Sequence, residues 1–329
     1  LTRRFINELR PGERVEDAVF LIRSKDLRTT TQGGLYIHAI LADRSGHLVA
    51  RHWQATEALF QQMPEGGFMR FKGRAENYKG NVQFIIDAMR PAEPGSFDIA
   101  DFLPKTEQDV GRMWARVVEI LGAVKHPALG ALMQEFLSDE ELMARFRQAP
   151  AAAVMHHAYV GGLLEHTCSL LELALRVIPL YPKLSLDLVL AGLFLHDIGK
   201  AAELTYETVI GYSDSGQLIG HITQAVLWID KKADAVAART GQPFPADLRA
   251  VLQHIVLSHH GQYEFGSPKL PAVPEAAAIH YLDNLDAKVQ MFLAEIETDP
   301  DPISHWTKFN RALDTKIFKV DVMGTRGGA

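Results

Sequence analysis

The spacing of apolar residues changes once along this chain, near residue 92, and that change decides what the chain can fold into. Through residues 14–90 apolar side chains alternate. In "GLYIHAILAD" Leu35, Ile37, Ala39 and Leu41 fall on one face. "HLVARHW" and "FMRFKGRA" follow, and in "NVQFIIDAM" Val82, Phe84, Ile86 and Ala88 share a face. A period of two marks strands, and "QGG", "RSG", "PEGG" and "YKGN" supply the turns between them. A helix-like stretch, "ATEALFQQM", separates the third strand from the fourth.

Past "RPAEPGS" the period becomes helical. "DVGRMWARVVEILGAV" and "ALGALMQEFLSDEELMARF" begin a helical run to about Glu297, with breaks near Pro150, Pro179–Pro182, Gly211–Gly216, Gln242–Pro245 and Gly261–Pro274. Five strands with a helix between the third and fourth fit a small closed barrel of the OB type. The expected architecture is multidomain. An all-β OB-like barrel occupies 1–92, a linker 93–97, and an all-α bundle 98–329. A length of 329 residues suits two domains better than one.

Composition excludes several classes. The longest apolar run, Leu188–Leu195, is too short to span a bilayer, so no membrane partner is expected. The N-terminal "LTRRFINELRPGERV" lacks the apolar core of a signal peptide. Cys168 is the only cysteine, which excludes an intrachain disulfide and fits a reducing cytoplasm. Residues 1–92 hold 14 basic and 10 acidic residues of the chain's 34 and 40, leaving 20 against 30 for the remainder. A mildly basic module thus precedes an acidic, His-bearing one, a composition suited to metal binding.

The polar residues set in apolar helical sequence come in a definite order. They are His166 in "LLEHT", His196-Asp197 in "HDIGK", His221 in "IGHIT", His259-His260 in "LSHHGQ" and Asp283 in "HYLDNLDAK". Bundles build metal sites from such inward side chains. Five His and two Asp exceed one tetrahedral zinc. They suit two divalent ions, Mn²⁺ first, with Fe²⁺, Co²⁺ or Ni²⁺ as alternatives. Adjacent helical residues point about 100° apart, so the His-Asp pair must sit at a helix end or embrace the metals from one side.

This order resembles the HD superfamily of metal-dependent phosphohydrolases, and the extra His221 and His259-His260 resemble its two-metal branch. "HHAYVGGLLEHT", "HDIGK", "GHI", "SHHGQYEFGSPKLP" and "HYLDNLDAK", behind an OB-like barrel, are similar to the YhaM-type 3′→5′ exoribonucleases across nearly the whole chain. The resemblance implies that His166, His196, Asp197 and Asp283 form a core site. It further implies that Asp197 bridges two ions and that His221, His259 and His260 hold the second. It implies hydrolysis of single-stranded RNA, and also of single-stranded DNA, to nucleoside 5′-monophosphates by a metal-activated water. Lys200 is expected to bind a phosphate oxygen and Cys168 only to pack. The alternative is a phosphohydrolase of small nucleotides or cyclic dinucleotides, although "HDIGKAAEL" lacks the GYP tripeptide of the cyclic-dinucleotide enzymes.

The barrel suggests strand capture. Arg70, Lys72 and Arg74 alternate along one strand face, and Tyr36, Trp53 and Tyr78 are candidate stacking groups. Trp53 shares a face with Arg51, and Lys79 lies at a hairpin tip. His156-His157, Tyr263, Lys269 and Lys288 are weaker candidates for substrate contact. His280 reads as supporting and His254 falls outside the metal set. A homo-oligomer is compatible with all of this.

Overall fold

The computed structural model describes residues 4–78, 80–93, 95–152, 158–206, 210–299, 301 and 303–325. Lys79 and the His156-His157 pair lie outside them. The chain forms two compact units, Leu1–Glu107 with Thr205–Gly211, and Gln108–Leu204 with Tyr212–Ala329.

The first unit is a closed five-stranded barrel. Its elements are β1 (Arg14–Thr29), β2 (Leu35–Asp43), β3 (Gly46–Trp53), α1 (Glu57–Gln61), β4 (Phe68–Tyr78) and β5 (Asn81–Pro91), with strand order β1-β2-β3-β5-β4. The 16-residue β1 serves both neighbours, pairing Thr29 with Leu35 at one end and Arg14 with Arg74 at the other. Parallel pairing of β3 with β5, from Val49 opposite Gln83 to Arg51 opposite Ile85, completes the order.

Alternation places Ile37, Ala39 and Leu41 inside, all fully buried, around Phe20, Phe71 and Phe84. Leu35, at the mouth of β2, stays exposed. Ala88 also turns outward, against the expected alternation. The register shifts where Lys72 pairs with Ala88 but Gly73 with Ile86, so the extra residue Asp87 reverses the facing of the residues after it. Gly73 is required at that point: a Cβ there would lie 2.1 Å from the Ile85 carbonyl oxygen. Past residue 92, Phe97 and Phe102 pack on Phe68 with ring centroids 4.6 and 4.7 Å from it, so the first unit continues beyond the barrel's last strand.

The second unit contains α2 (Val110–Gly122), α3 (Pro127–Leu137), α4 (Glu140–Gln148), α5 (Gly162–Val177), α6 (Leu186–Leu195), α7 (Lys200–Glu203), α8 (Asp214–Thr240), α9 (Ala246–Ser258) and α10 (Pro274–Thr298). Asp109, Asp139, Ser185 and Ser213 start α2, α4, α6 and α8 by accepting a backbone N–H. A two-stranded ladder, β6 (Leu204–Thr205) and β7 (Gly211–Tyr212), interrupts the helices. Such short strands leave no periodic signal in the sequence. The central helix is α6, buried at every position from Val189 to Leu195. A helix apolar on all sides belongs in the middle of a bundle. Close approach at Gly192, where a Cβ would meet Ile279 of α10 at 2.5 Å and Ile255 of α9 at 3.0 Å, draws the three helices together.

Candidate metal centre

The His196-Asp197 pair sits where α6 ends. His196 is the C-cap, and its Nδ1–H donates to the Leu193 carbonyl at 2.7 Å. The second pair repeats the device at the end of α9. His259 is the C-cap, and its Nδ1–H donates to the Val256 carbonyl at 2.7 Å. Each imidazole thereby satisfies a carbonyl that its own helix leaves unpaired. His260 donates from Nδ1 to the Phe265 carbonyl at 2.8 Å. His221 comes directly after Gly220, whose φ of +75° breaks α8. The carboxylate of Glu203 then accepts both the His221 backbone N–H and its Nδ1–H, each at 3.0 Å. His166 projects from α5 and donates Nδ1–H to Asp286 of α10 at 3.0 Å, and Ser169 Oγ–H donates to the other Asp286 oxygen at 2.8 Å.

All five imidazoles are therefore held through Nδ1, which leaves Nε2 as the nitrogen available to a metal. These nitrogens fall into two groups. His166, His196 and Asp197 form one, and His221, His259 and His260 the other, with ligand atoms in each lying within 4.8 Å of one another. Asp197 faces both. Its Oδ2 lies 3.4 Å from His196 Nε2 and 3.9 Å from His166 Nε2, and its Oδ1 lies 3.6 Å from both His221 Nε2 and His259 Nε2. Asp283 Oδ1 stands 3.2 Å from His166 Nε2.

Four buried atoms, His196 Nε2, Asp197 Oδ1, His221 Nε2 and His259 Nε2, have no hydrogen-bond partner among the described residues. Unpaired buried polar atoms are costly, and here they converge from three elements. Divalent cations would satisfy all four. The donor set of imidazole and carboxylate fits Mn, Fe, Co or Ni.

Electrostatics point the same way. Burial raises the cost of charging Asp197, yet Lys200 and His196 hold its carboxyl well below the usual range. Lys200 Nζ donates to Asp197 Oδ2 at 2.6 Å, and Asp197 keeps that ammonium charged despite burial. Burial lowers His166 as well, but Asp283 and Asp286 outweigh it and raise its pKa to about 9. Burial and the neighbouring His259 bring His260 down to about 4. Burial also pushes the Cys168 thiol up, as befits a packing residue.

Residues 163–288 match the HD domain family. Over 324 residues, 96% of this chain and 96% of the other, the sequence is 35% identical to the 3′-5′ exoribonuclease YhaM of Geobacillus sp. (strain WCH70). The chain belongs to the YhaM exoribonuclease family. Among solved structures, a domain of replication protein A from Methanococcus maripaludis covers 27% of this chain and 93% of its own at 16% identity and a TM-score of 0.24. A single-stranded DNA binding protein from Thermus aquaticus covers 26% of this chain and 43% of its own at 19% identity and a TM-score of 0.22.

On the barrel, the six strand-capture candidates fall into two sets. Arg70, Lys72 and Arg74 do share an outer face, but each meets a carboxylate: Asp17 at 2.8 Å, Glu16 at 2.6 Å, and both Glu76 and Asp87 at 2.8 Å. Tyr36 and Trp53 are cross-strand partners on β2 and β3, with ring centroids 5.1 Å apart. Arg51 lies 5.8 Å from the Trp53 ring and 4.6 Å from that of Tyr78, and Trp53 and Tyr78 are exposed.

In the helical unit, His254 accepts the Ala272 N–H, and His280 Nδ1–H donates to the His259 carbonyl at 2.8 Å. Tyr263, Lys269 and Lys288 are exposed. The sequence reading missed Asp286 and Glu203. Both stand in the motifs "LDNLDAK" and "GKAAEL", as a second acid three residues on from Asp283 and an acid three residues on from Lys200. No helix among the described residues is long and apolar enough to cross a membrane.

Proposed function

We propose that this protein is a divalent-metal-dependent 3′→5′ exonuclease that shortens single-stranded RNA to nucleoside 5′-monophosphates, with single-stranded DNA as a second substrate. The carrying observation is Asp197, one carboxylate whose two oxygens face two separate histidine groups. The near full-length similarity to a 3′-5′ exoribonuclease supports the direction and the substrate.

His166, His196, Asp197 and Asp283 would hold one ion, and His221, His259 and His260 with the second Asp197 oxygen the other. Manganese suits this set. Bound there, two ions supply Lewis-acid chemistry, acidifying water and neutralising phosphate charge. The chain's own residues orient the rest. The Nδ1 hydrogen bonds fix each ring, and full burial of His196 and near-full burial of His259 keep bulk water away. Lys200 offers a charged donor for a non-bridging phosphate oxygen. Tyr36, Trp53 and Tyr78 stack bases while Arg51 supplies positive charge, the usual division of labour on the β2–β3 face of such barrels.

The test is a time course on 5′-labelled single-stranded RNA with Mn²⁺, beside a chelator control and Asp197→Asn. A ladder receding from the 3′ end, absent in both controls, is expected. Intact RNA with folded, metal-loaded protein, together with turnover of free nucleotides, would transfer the assignment to small-molecule phosphohydrolysis.

A further inference from the structure

Beyond α10 the chain doubles back on itself. Trp306 bridges to Phe318 and Asn310 to Thr315, both antiparallel. The Thr307 N–H donates to the Ile317 carbonyl and the Ile317 N–H to Thr307 Oγ1, each at 2.9 Å. Thr307 and Ile317 are buried, whereas Trp306, Lys308, Lys316 and Phe318 are exposed. Trp306 and Phe318 are cross-strand partners and lie side by side, and Lys308 and Lys316, two residues nearer the turn on each arm, are exposed as well.

That surface combines two features. Its rings lie together, with Trp306 and Phe318 centroids 5.1 Å apart, although Trp306 is 52% and Phe318 42% exposed. Adjacent aromatics left in water mark an interaction site. Its cations are also exposed. Among the described residues no carboxylate pairs with Lys308, Lys316 or Arg311 at the turn, in contrast to Arg70, Lys72 and Arg74 on the barrel. Exposed rings flanked by exposed cations fit a partner with flat apolar faces and a regular negative charge, which is the chemistry of single-stranded nucleic acid.

Position links the surface to the metal centre. Asn310 Nδ2–H donates to Glu295 of α10 at 2.8 Å, and Lys319 Nζ–H to Asp299 at 2.7 Å. Glu295 lies three turns and more beyond Asp283 on the same helix, which at 1.5 Å per residue is roughly 18 Å. At about 3.4 Å per stacked nucleotide this is about five nucleotides of strand.

We propose that this hairpin is a second single-strand-binding surface. Bases of a strand running from the metal centre stack on Trp306 and Phe318, and Lys308 and Lys316 hold its phosphates. The inference rests on the nuclease reading above, and its test separates the two.

Two double variants of the full-length, metal-loaded protein serve. One is Trp306→Ala with Phe318→Ala. The other, Lys308→Gln with Lys316→Gln, leaves the hairpin's buried pair and rings in place. Oligoadenylates of increasing length are assayed for hydrolysis and, by fluorescence anisotropy, for binding. The aromatic variant is expected to lose about tenfold or more in affinity for strands longer than about five nucleotides, the scale of lost base stacking. The lysine variant is expected to flatten the log–log salt dependence by about 1.4, at about 0.7 per cation. Both should hydrolyse diadenylate at the wild-type rate.

Long-strand affinity unchanged in both variants would overturn the proposal. So would equal losses on long strands and diadenylate, because the residues would then support the fold instead. A wild-type oligomer that either variant dissociates would reassign the surface to contact between copies and overturn it as well. If the wild type binds strands in a variant-sensitive way yet cleaves none, the nuclease reading falls and this one stands.

Discussion

Asp286→Asn isolates what an acid outside the ligand groups does for them. Asp286 is nearly buried, with one oxygen accepting from His166 Nδ1 and the other from Ser169 Oγ. Asparagine keeps the shape. Its oxygen can face His166 and its NH₂ can donate to the Ser169 hydroxyl, which rotates to accept. What disappears is the charge. Charged hydrogen bonds contribute about 1.5–3 kcal/mol and neutral ones about 0.5–1.5, so the loss is about 1–2 kcal/mol, or roughly five- to thirtyfold in metal affinity. Outer partners of metal-bound histidines show losses of about this size.

An opposing effect acts at neutral pH. Without metal, His166 has its pKa raised to about 9, so at pH 7 a proton occupies the site that metal must take. Removing the Asp286 charge lowers that pKa and relieves the competition. The two effects oppose one another at pH 7, and the second fades as pH rises through about 9, leaving the first above it. Calorimetric titration of metal-free variant and wild type with Mn²⁺ should show a small deficit at pH 7 that grows to about tenfold at pH 9. The rate at saturating metal should stay within about twofold of wild type, because the ligands themselves are unchanged. A deficit larger at pH 7 than at pH 9, or none at either, would refute the assigned role.

Three further outcomes are expected. Gly199→Ala places a Cβ 2.1 Å from the His221 backbone oxygen, so it should cost about 1–3 kcal/mol and reduce bound Mn²⁺ from two to one per chain by elemental analysis. Trp53→Ala should weaken strand binding by about 1–3 kcal/mol in anisotropy while leaving hydrolysis of a dinucleotide unchanged. Asp139→Ala removes the α4 cap and the 2.7 Å pair with Lys232, costing about 1 kcal/mol at pH 7 in denaturant unfolding followed by helix ellipticity. The Lys232 hydrogen bond lowers the Asp139 pKa, so this contribution is present above the ordinary aspartate value. It fades as pH falls through the lowered one, and the gap between variant and wild type should close in acid.

The sequence made the barrel legible because alternation is a local property, and Ile37, Ala39 and Leu41 need only their own strand to be read. Ala88 was misplaced because its orientation depends on a bulge set by the partner strand. The ligand groups were legible as an ordered set, and Gly220 before His221 was a visible breaker whose use appeared only with the fold. Asp286 and Glu203 were not picked out, since an acid in a helical pattern looks like solvated surface until the opposing imidazole is in place. The stripe of Arg70, Lys72 and Arg74 was legible as a shared face, but the carboxylates of neighbouring strands that pair with it were not. The hairpin beyond α10 has too few residues per arm for a period to show.

Ending both paired motifs at helix C-termini has an electrical consequence. The carbonyl ends of α6 and α9 each carry about half a negative charge, and both converge on the site. The carboxylates of Asp197, Asp283, Asp286 and Glu203 outnumber the positive charges of Lys200 and a protonated His166, so the metal-free site favours divalent cations and disfavours a phosphodiester. Substrate affinity is then conditional. Cations held there would invert the local potential, so strand binding is expected to require metal first. A chain stripped of its ions should fail at holding the 3′ end as well as at cutting it.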